Sequence, residues 1–140
     1  MKNNKKPEDK YRLYVIVAND IQDMTPGKAE AHSGHAASSC AFCMGDDPRY
    51  RSWCGLRGFG TQINLDARSS DFPKIEDSCL SSGAPYGFVD DPSYPIRSPL
   101  SLLGIGDKAQ YVPKRTAMWV MVDMNDDHQL SVVRDYRTKP

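Results

Sequence analysis

Lys28, His32 and His35 stand close together in the sequence, and a pair of carboxylates, Asp90 and Asp91, follows a short apolar run much further on. An imidazole titrates at about pH 6.5, so a histidine is the readiest general base or acid near neutrality. At roughly 100° per residue, Lys28, His32, His35 and Ser39 share one stripe of a helix. Ala29, Ala36, Ala37, Cys40 and Cys43 lie on another side, and their small size suits close packing on a sheet. One helix would therefore pack by one face and present a lysine and two histidines on the other. Taken alone, such a stripe is an ordinary solvated face, and Asp90-Asp91-Pro92 is also a plain turn or cap sequence.

The elements that must hold these groups can be read in order. Residues 1–10 are polar and rich in lysine, as expected of a flexible basic arm. The apolar run at Leu13 to Val17 suits a central strand covered on both faces. Thr25 is a good N-cap and Pro26 suits the first helical position, so a helix over 26–43 follows. Residues 45–58 mix Gly, Pro, Asp and Arg and read as a loop with at most a short turn. A second strand is expected over 59–65. A short helix then begins at Ser70 or Asp71, with Phe72, Ile75, Cys79 and Leu80 as its apolar face and Gly83 as its stop. A third strand over 86–89, a proline-rich loop over 90–99 and a fourth strand over 100–105 complete the pattern. The apolar runs at 117–122 and 130–133 read as a C-terminal β-hairpin, with a helix over 115–124 as the competing reading.

Strands alternating with helices in this order predict a layered α/β domain. Ligands in such sheets sit at the carboxyl ends of parallel strands. Asn19-Asp20 ends the first strand, Asp90-Asp91 ends the third, and the helix bearing Lys28 starts at the same edge, so these groups can converge. The totals bound the rest. A chain of 140 residues predicts one domain over 11–140, with an extension from about residue 107. Eighteen basic and 18 acidic residues leave no net charge, which argues against non-specific coating of nucleic acid. No apolar run is long enough to span a membrane, and the start has no secretory apolar core, so a cytoplasmic setting with four thiols is the expectation.

The motifs resemble those of the type 2 peptidyl-tRNA hydrolases. The helix signature of that family is matched by Asp20 followed by Gly27-Lys28-Ala29-Glu30-Ala31-His32-Ser33-Gly34-His35-Ala36-Ala37. A second signature is matched, in altered form, by Gly83-Ala84-Pro85-Tyr86 leading to Asp90-Asp91-Pro92-Ser93-Tyr94-Pro95-Ile96, and a third by Ser101-Leu102-Leu103-Gly104-Ile105-Gly106. The resemblance covers about residues 11–106. It implies a three-layer α/β/α fold around a four-stranded mixed sheet, and hydrolysis, without a metal or other cofactor, of the ester that joins a peptide to tRNA. It places the catalytic histidine on His35, the lysine on Lys28, the catalytic aspartate on Asp90, and two active-site threonines on Tyr94 and Ser101. The family's helix glutamine has become His32. The resemblance further implies tRNA as partner, no membrane, and a possible homodimer. The remodelled loop at 91–95 keeps an alternative open: an inactive RNA-binding module on the same scaffold.

Ester hydrolysis needs an activated water and a place for the developing oxyanion. His35 would be the base. Asp90 would hold its tautomer or orient the water, and Lys28 with the helix N-terminus would meet negative charge. Asp20 would order its loop or pair with Lys28. Arg49 and Arg51, with Tyr50 and Trp53 between and beside them, could bind phosphates while the rings stack on bases, or the rings could tuck inward. Cys40 and Cys43, with Cys54 and Cys79, invite a zinc reading, but a pair on a sheet-facing helix reads better as buried thiols. The run 123–127 begins like a calcium loop and lacks its later ligands, so a turn is the better account.

Overall fold

A computed structural model of the chain describes residues 10–55, 57–97, 104 and 109–139. Four strands, β1 (Tyr11–Ala18), β2 (Gln62–Ala67), β3 (Tyr86–Arg97) and β4 (Ala109–Asp123), form one mixed sheet in the order β2-β1-β4-β3. β1 runs parallel to β2 and antiparallel to β4, and β3 is antiparallel to β4. Helices α1 (Pro26–Met44) and α2 (Pro48–Cys54) carry Ala29, Ala36, Cys40, Tyr50 and Trp53 onto one face. Helices α3 (Phe72–Ser82) and α4 (Asp127–Val133) carry Phe72, Ile75, Cys79, Val132 and Val133 onto the other. The expected three-layer α/β class with a four-stranded mixed sheet is the class observed.

β1 and β4 occupy the middle of the sheet, which explains their composition. Leu13, Val15 and Val17 face α1, while Tyr14, Ile16 and Ala18 face α3. In β4 every residue from Thr116 to Val122 is buried. α1 begins as the sequence predicts: Thr25 is the N-cap and accepts a hydrogen bond from the Lys28 amide at 3.3 Å. α3 ends at Gly83, whose φ of 77° lies in the left-handed region that glycine adopts without a Cβ clash.

Several expected elements differ. The 45–58 loop contains α2, because Asp47-Pro48 is an N-cap followed by a first-turn proline, and the Asp47 carboxylate accepts the Arg49 amide at 2.8 Å. The third strand does not stop at Val89. It continues to Arg97 through Pro92 and Pro95, which an edge strand with a register shift between Asp91 and Tyr94 can accommodate. The fourth strand expected over 100–105 falls outside the described residues, apart from a turn at Gly104. The C-terminal hairpin is not formed. Its first half is the end of β4, and 130–133 lies in α4, which Asp126 caps by accepting from the His128 and Gln129 amides. A four-residue apolar run bears no strand signature of its own, and the cap decides for helix.

Gly87 sits opposite Trp119 in the β3–β4 ladder, and a Cβ built on it would lie 2.6 Å from the indole Nε1. Trp119 is fully buried and its Nε1–H donates to Ser39 Oγ at 3.2 Å. Gly87→Ala is therefore expected to displace the indole and to destabilise the fold by about 1–3 kcal/mol. Urea denaturation measures this, and an unchanged midpoint would mean that the indole does not lie against Gly87.

Candidate functional site

α1 lies on the sheet with Ala29, His32, Ser33, Ala36, Cys40 and Met44 buried. The stripe of Lys28, His32, His35 and Ser39 does exist, but it is not a free outer face. It runs along the flank of α1 that meets β3 and β4. His32 is 5% exposed, whereas Cys43, expected to pack, is exposed. The polar residues of α1 meet polar partners on the sheet: Ser33 hydroxyl donates to Asn64 Oδ1 at 3.2 Å, and Ser39 accepts from Trp119.

His32 is the centre of the flank. Its Nδ1 is 2.9 Å from the Thr116 hydroxyl, and its Nε2 is 3.8 Å from an Asp91 carboxylate oxygen. The His35 ring meets it edge-on with centroids 5.2 Å apart, and the Tyr94 ring lies 5.6 Å away. Lys28 Nζ sits 5.3 Å from the centre of the Tyr94 ring. His35 is exposed and Lys28 half-buried, so the cluster is open on the side of these two residues. Burial disfavours the His32 imidazolium, and the neighbouring His35 and Lys28 add to this against the pull of Asp91, so its pKa is lowered.

The expected meeting of His35 with Asp90 does not occur. Asp90 is clamped by Arg115, whose Nε and one terminal nitrogen donate to its two oxygens at 2.7 and 3.0 Å. These donors hold the Asp90 carboxyl below the usual carboxylate range despite its partial burial. The Arg115 guanidinium stacks 3.8 Å from the centre of the Phe88 ring, which packs into the α3 side of the core. Asp90 thus belongs to the sheet face opposite α1, and Asp91 faces α1. Alternation along β3 sends the two apart, since Phe88 packs on the α3 side and Val89 on the α1 side. A bulge supplies their partners: Val89 pairs with Ala117 but Asp90 pairs with Arg115, so Thr116 is an extra residue in β4. Thr116 turns its hydroxyl to His32. The sequence reading groups Asp91 with Asp90 but gives the role to Asp90, while Thr116 carries no signal in the sequence.

The remaining expected site residues divide as follows. Tyr94, which the resemblance places where the family has a threonine, is fully buried; its hydroxyl donates to the Gln22 carbonyl at 3.1 Å, and burial pushes its pKa up. It is a wall behind Lys28 and His32, not a free hydroxyl. Ser101 lies outside the described residues. Asp20 orders a loop, as one of its two expected roles had it: its oxygens accept from the Ser69 amide at 2.8 Å and hydroxyl at 2.9 Å. Partial burial works against the charge on Asp20, yet these bonds leave its pKa lowered. Arg49 is bound to Asp47 at 2.8 Å, pulling that carboxyl down to about 2, and Arg51 reaches Asp46 at 3.4 Å. Tyr50 and Trp53 tuck against the core, and Trp53 Nε1–H donates to the Thr61 carbonyl at 2.9 Å.

Among the described residues no group of three or more His, Cys, Asp or Glu could hold a metal ion. Cys40 and Cys79 are buried on opposite faces of the sheet, and burial pushes both thiols up to about 12. Among the described residues no helix is long and apolar enough to cross a membrane.

No family model matches the chain, and no curated protein matches it. The fold is similar to the solved structure of a protein of unknown function from Agrobacterium tumefaciens strain C58. The similarity covers 94% of this chain and 98% of that one, with a TM-score of 0.55 and 9% sequence identity. This likeness is one of architecture.

The lowered pKa of His32 has a definite sign. The unfolded chain binds a proton there at about pH 6.5, while the folded chain resists it. The stability that a neutral His32 allows is fully present above that pH. It declines as pH falls through the window between the unfolded value and the lower folded one, because the unfolded state binds more protons there. Denaturation midpoints of the wild type and His32→Asn are expected to converge as pH is lowered from 7.5 towards 5. A constant gap across that range would show that His32 does not resist protonation.

Proposed function

We propose that this chain hydrolyses a carboxylic ester of the aminoacyl- or peptidyl-tRNA kind, at a centre formed by His35, His32, Asp91 and Lys28. The observation that carries this reading is the succession from Asp91 through buried His32 to exposed His35, with 3.8 Å between Asp91 and His32 and 5.2 Å between the two rings. It ends at the one imidazole of the cluster that substrate can reach, beside a lysine. The resemblance of the α1 signature supplies the substrate class.

In this reading His35 takes a proton from water as the water oxygen attacks the ester carbonyl. Lys28 and the amino end of α1 offer positive charge to the tetrahedral oxyanion. The intermediate collapses with cleavage of the bond to the tRNA ribose oxygen, and the His35 imidazolium returns its proton to that oxygen. The products are a free carboxylic acid and a free tRNA hydroxyl. His32, neutral and held by Thr116, keeps the His35 ring in place, and Asp91 supplies negative charge behind the pair. Asp90, bound to Arg115, takes no part.

A second reading is favoured by one observation. Tyr94, at the position of a family threonine, is fully buried with its hydroxyl donated to the Gln22 carbonyl. A module that binds RNA without turnover would keep the scaffold and lose the reaction.

Release of free tRNA from an N-acylated aminoacyl-tRNA, with purified protein, separates these readings. Turnover is expected, with His35→Ala lowering kcat by about 10²–10⁴-fold, Asp91→Asn also impaired, and Asp90→Asn unaffected. If His35→Ala and Asp91→Asn turn over like the wild type, the proposed centre is wrong. Saturable tRNA binding with no release would favour the binding module.

A further inference from the structure

At the carboxyl ends of the two parallel strands lies a cavity of about 690 Å³, away from the α1 flank. Its walls come from three separate segments: the end of β1, the turn between β2 and α3, and the chain after α4. Asn19, Arg68, Asp71, Asp135, Tyr136 and Arg137 line it. The segment after α4 is fixed in place. The Asp66 amide donates to the Arg137 carbonyl at 2.9 Å, and the Lys139 amide donates to the Asn64 carbonyl at 2.8 Å. Lys139 Nζ also pairs with Asp66 at 3.2 Å.

The charges in this cavity are unequally satisfied. Asp66 has Lys139, and Asp71 accepts the Arg68 amide at 2.9 Å and faces Lys74 at 3.9 Å. Arg68 and Arg137 form no ion pair among the described residues. Two guanidinium groups on different segments thus line one concave space; the charge of Arg68 also acts on Asp20, and a planar donor fork of this kind suits phosphate oxygens. Asp71 and Asp135 both lie near the Tyr136 phenol, whose pKa is raised by burial first and then by these two charges. A bare anion would be repelled by such carboxylates. A ligand that pairs its anion with hydroxyl donors would satisfy both sets.

We propose that this cavity binds a phosphomonoester of a small polyhydroxylated molecule, with the phosphate on Arg68 and Arg137 and the hydroxyls donating to Asp71 and Asp135. The assignment is independent of the hydrolytic centre on α1, since it uses none of its residues. The crevice beyond the carboxyl ends of parallel strands is also where open α/β sheets place ligands.

Calorimetric titration of the full chain with ribose 5-phosphate, inorganic phosphate and ribose tests it. Ribose 5-phosphate is expected to bind more tightly than either part, and its affinity is expected to fall about tenfold in Arg68→Gln and in Arg137→Gln. Both side chains are exposed, so the variants should melt like the wild type. Asp135→Asn should weaken ribose 5-phosphate but not inorganic phosphate, a split that a merely structural role would not produce. Absence of saturable ribose 5-phosphate binding, equal affinity for inorganic phosphate, or indifference to Arg137→Gln would each overturn the proposal.

Discussion

The insertion of Thr116 into β4 governs how the two faces of this sheet are furnished. Beyond Gly87 and Phe88 the β3–β4 ladder would, with regular pairing, keep each residue of β4 on its alternating side. The extra residue resets that alternation. Arg115 then comes to the α3 side, where it can clamp Asp90 and lie over Phe88, while Thr116 comes to the α1 side and joins Asp91 around His32. Two adjacent aspartates are thereby given opposite partners: one meets an arginine, the other an imidazole. Without the bulge Thr116 would turn away from His32 and Arg115 towards it, leaving Asp90 without its clamp.

The same logic explains why α1 can bury a histidine and a serine at all. A helix with so many alanines approaches the sheet closely, and any polar group on its inner flank must be met. His32 finds Thr116, Ser33 finds Asn64, and Ser39 finds the Trp119 indole. Among the described residues no buried side-chain nitrogen or oxygen lacks a hydrogen-bond partner. An unmet partner in such a place costs about 1–3 kcal/mol, so these three pairs fix the rotation and the height of α1 on the sheet. Pre-set orientation of that helix is what brings Lys28 and His35 to the same margin.

What could be read directly from the chain were features whose signals are local. β1 announces itself by an unbroken apolar run, α1 by Thr25-Pro26, and α3 by its apolar spacing and the glycine after it. The extension of β3 was hidden because prolines normally mark the end of a strand, and only its edge position and its register shift make them tolerable. α4 was hidden because four apolar residues carry no periodicity, and the Asp126 cap lies upstream of them. In the candidate site, the stripe on α1 was legible but its orientation was not: which flank faces solvent depends on the sheet beneath it. Which of Asp90 and Asp91 meets His32 follows from the pleat of β3 and from the partners, Arg115 and Thr116, that β4 supplies. No inspection of the DDP stretch by itself could have revealed it.

The bridge between Leu65 and Thr138 lends β2 a neighbour on its outer side. Without it, that margin of the sheet would offer a row of unpaired amides and carbonyls to any passing chain. The opposite margin, β3, is interrupted by Pro92 and Pro95, which have no N–H to give. Lateral recruitment of foreign strands is therefore discouraged at both borders, and encounters with other molecules are directed to side chains and hollows instead of main-chain pairing. Loss of the short segment behind β2 would reopen one border and turn a self-contained sheet into a template for accretion.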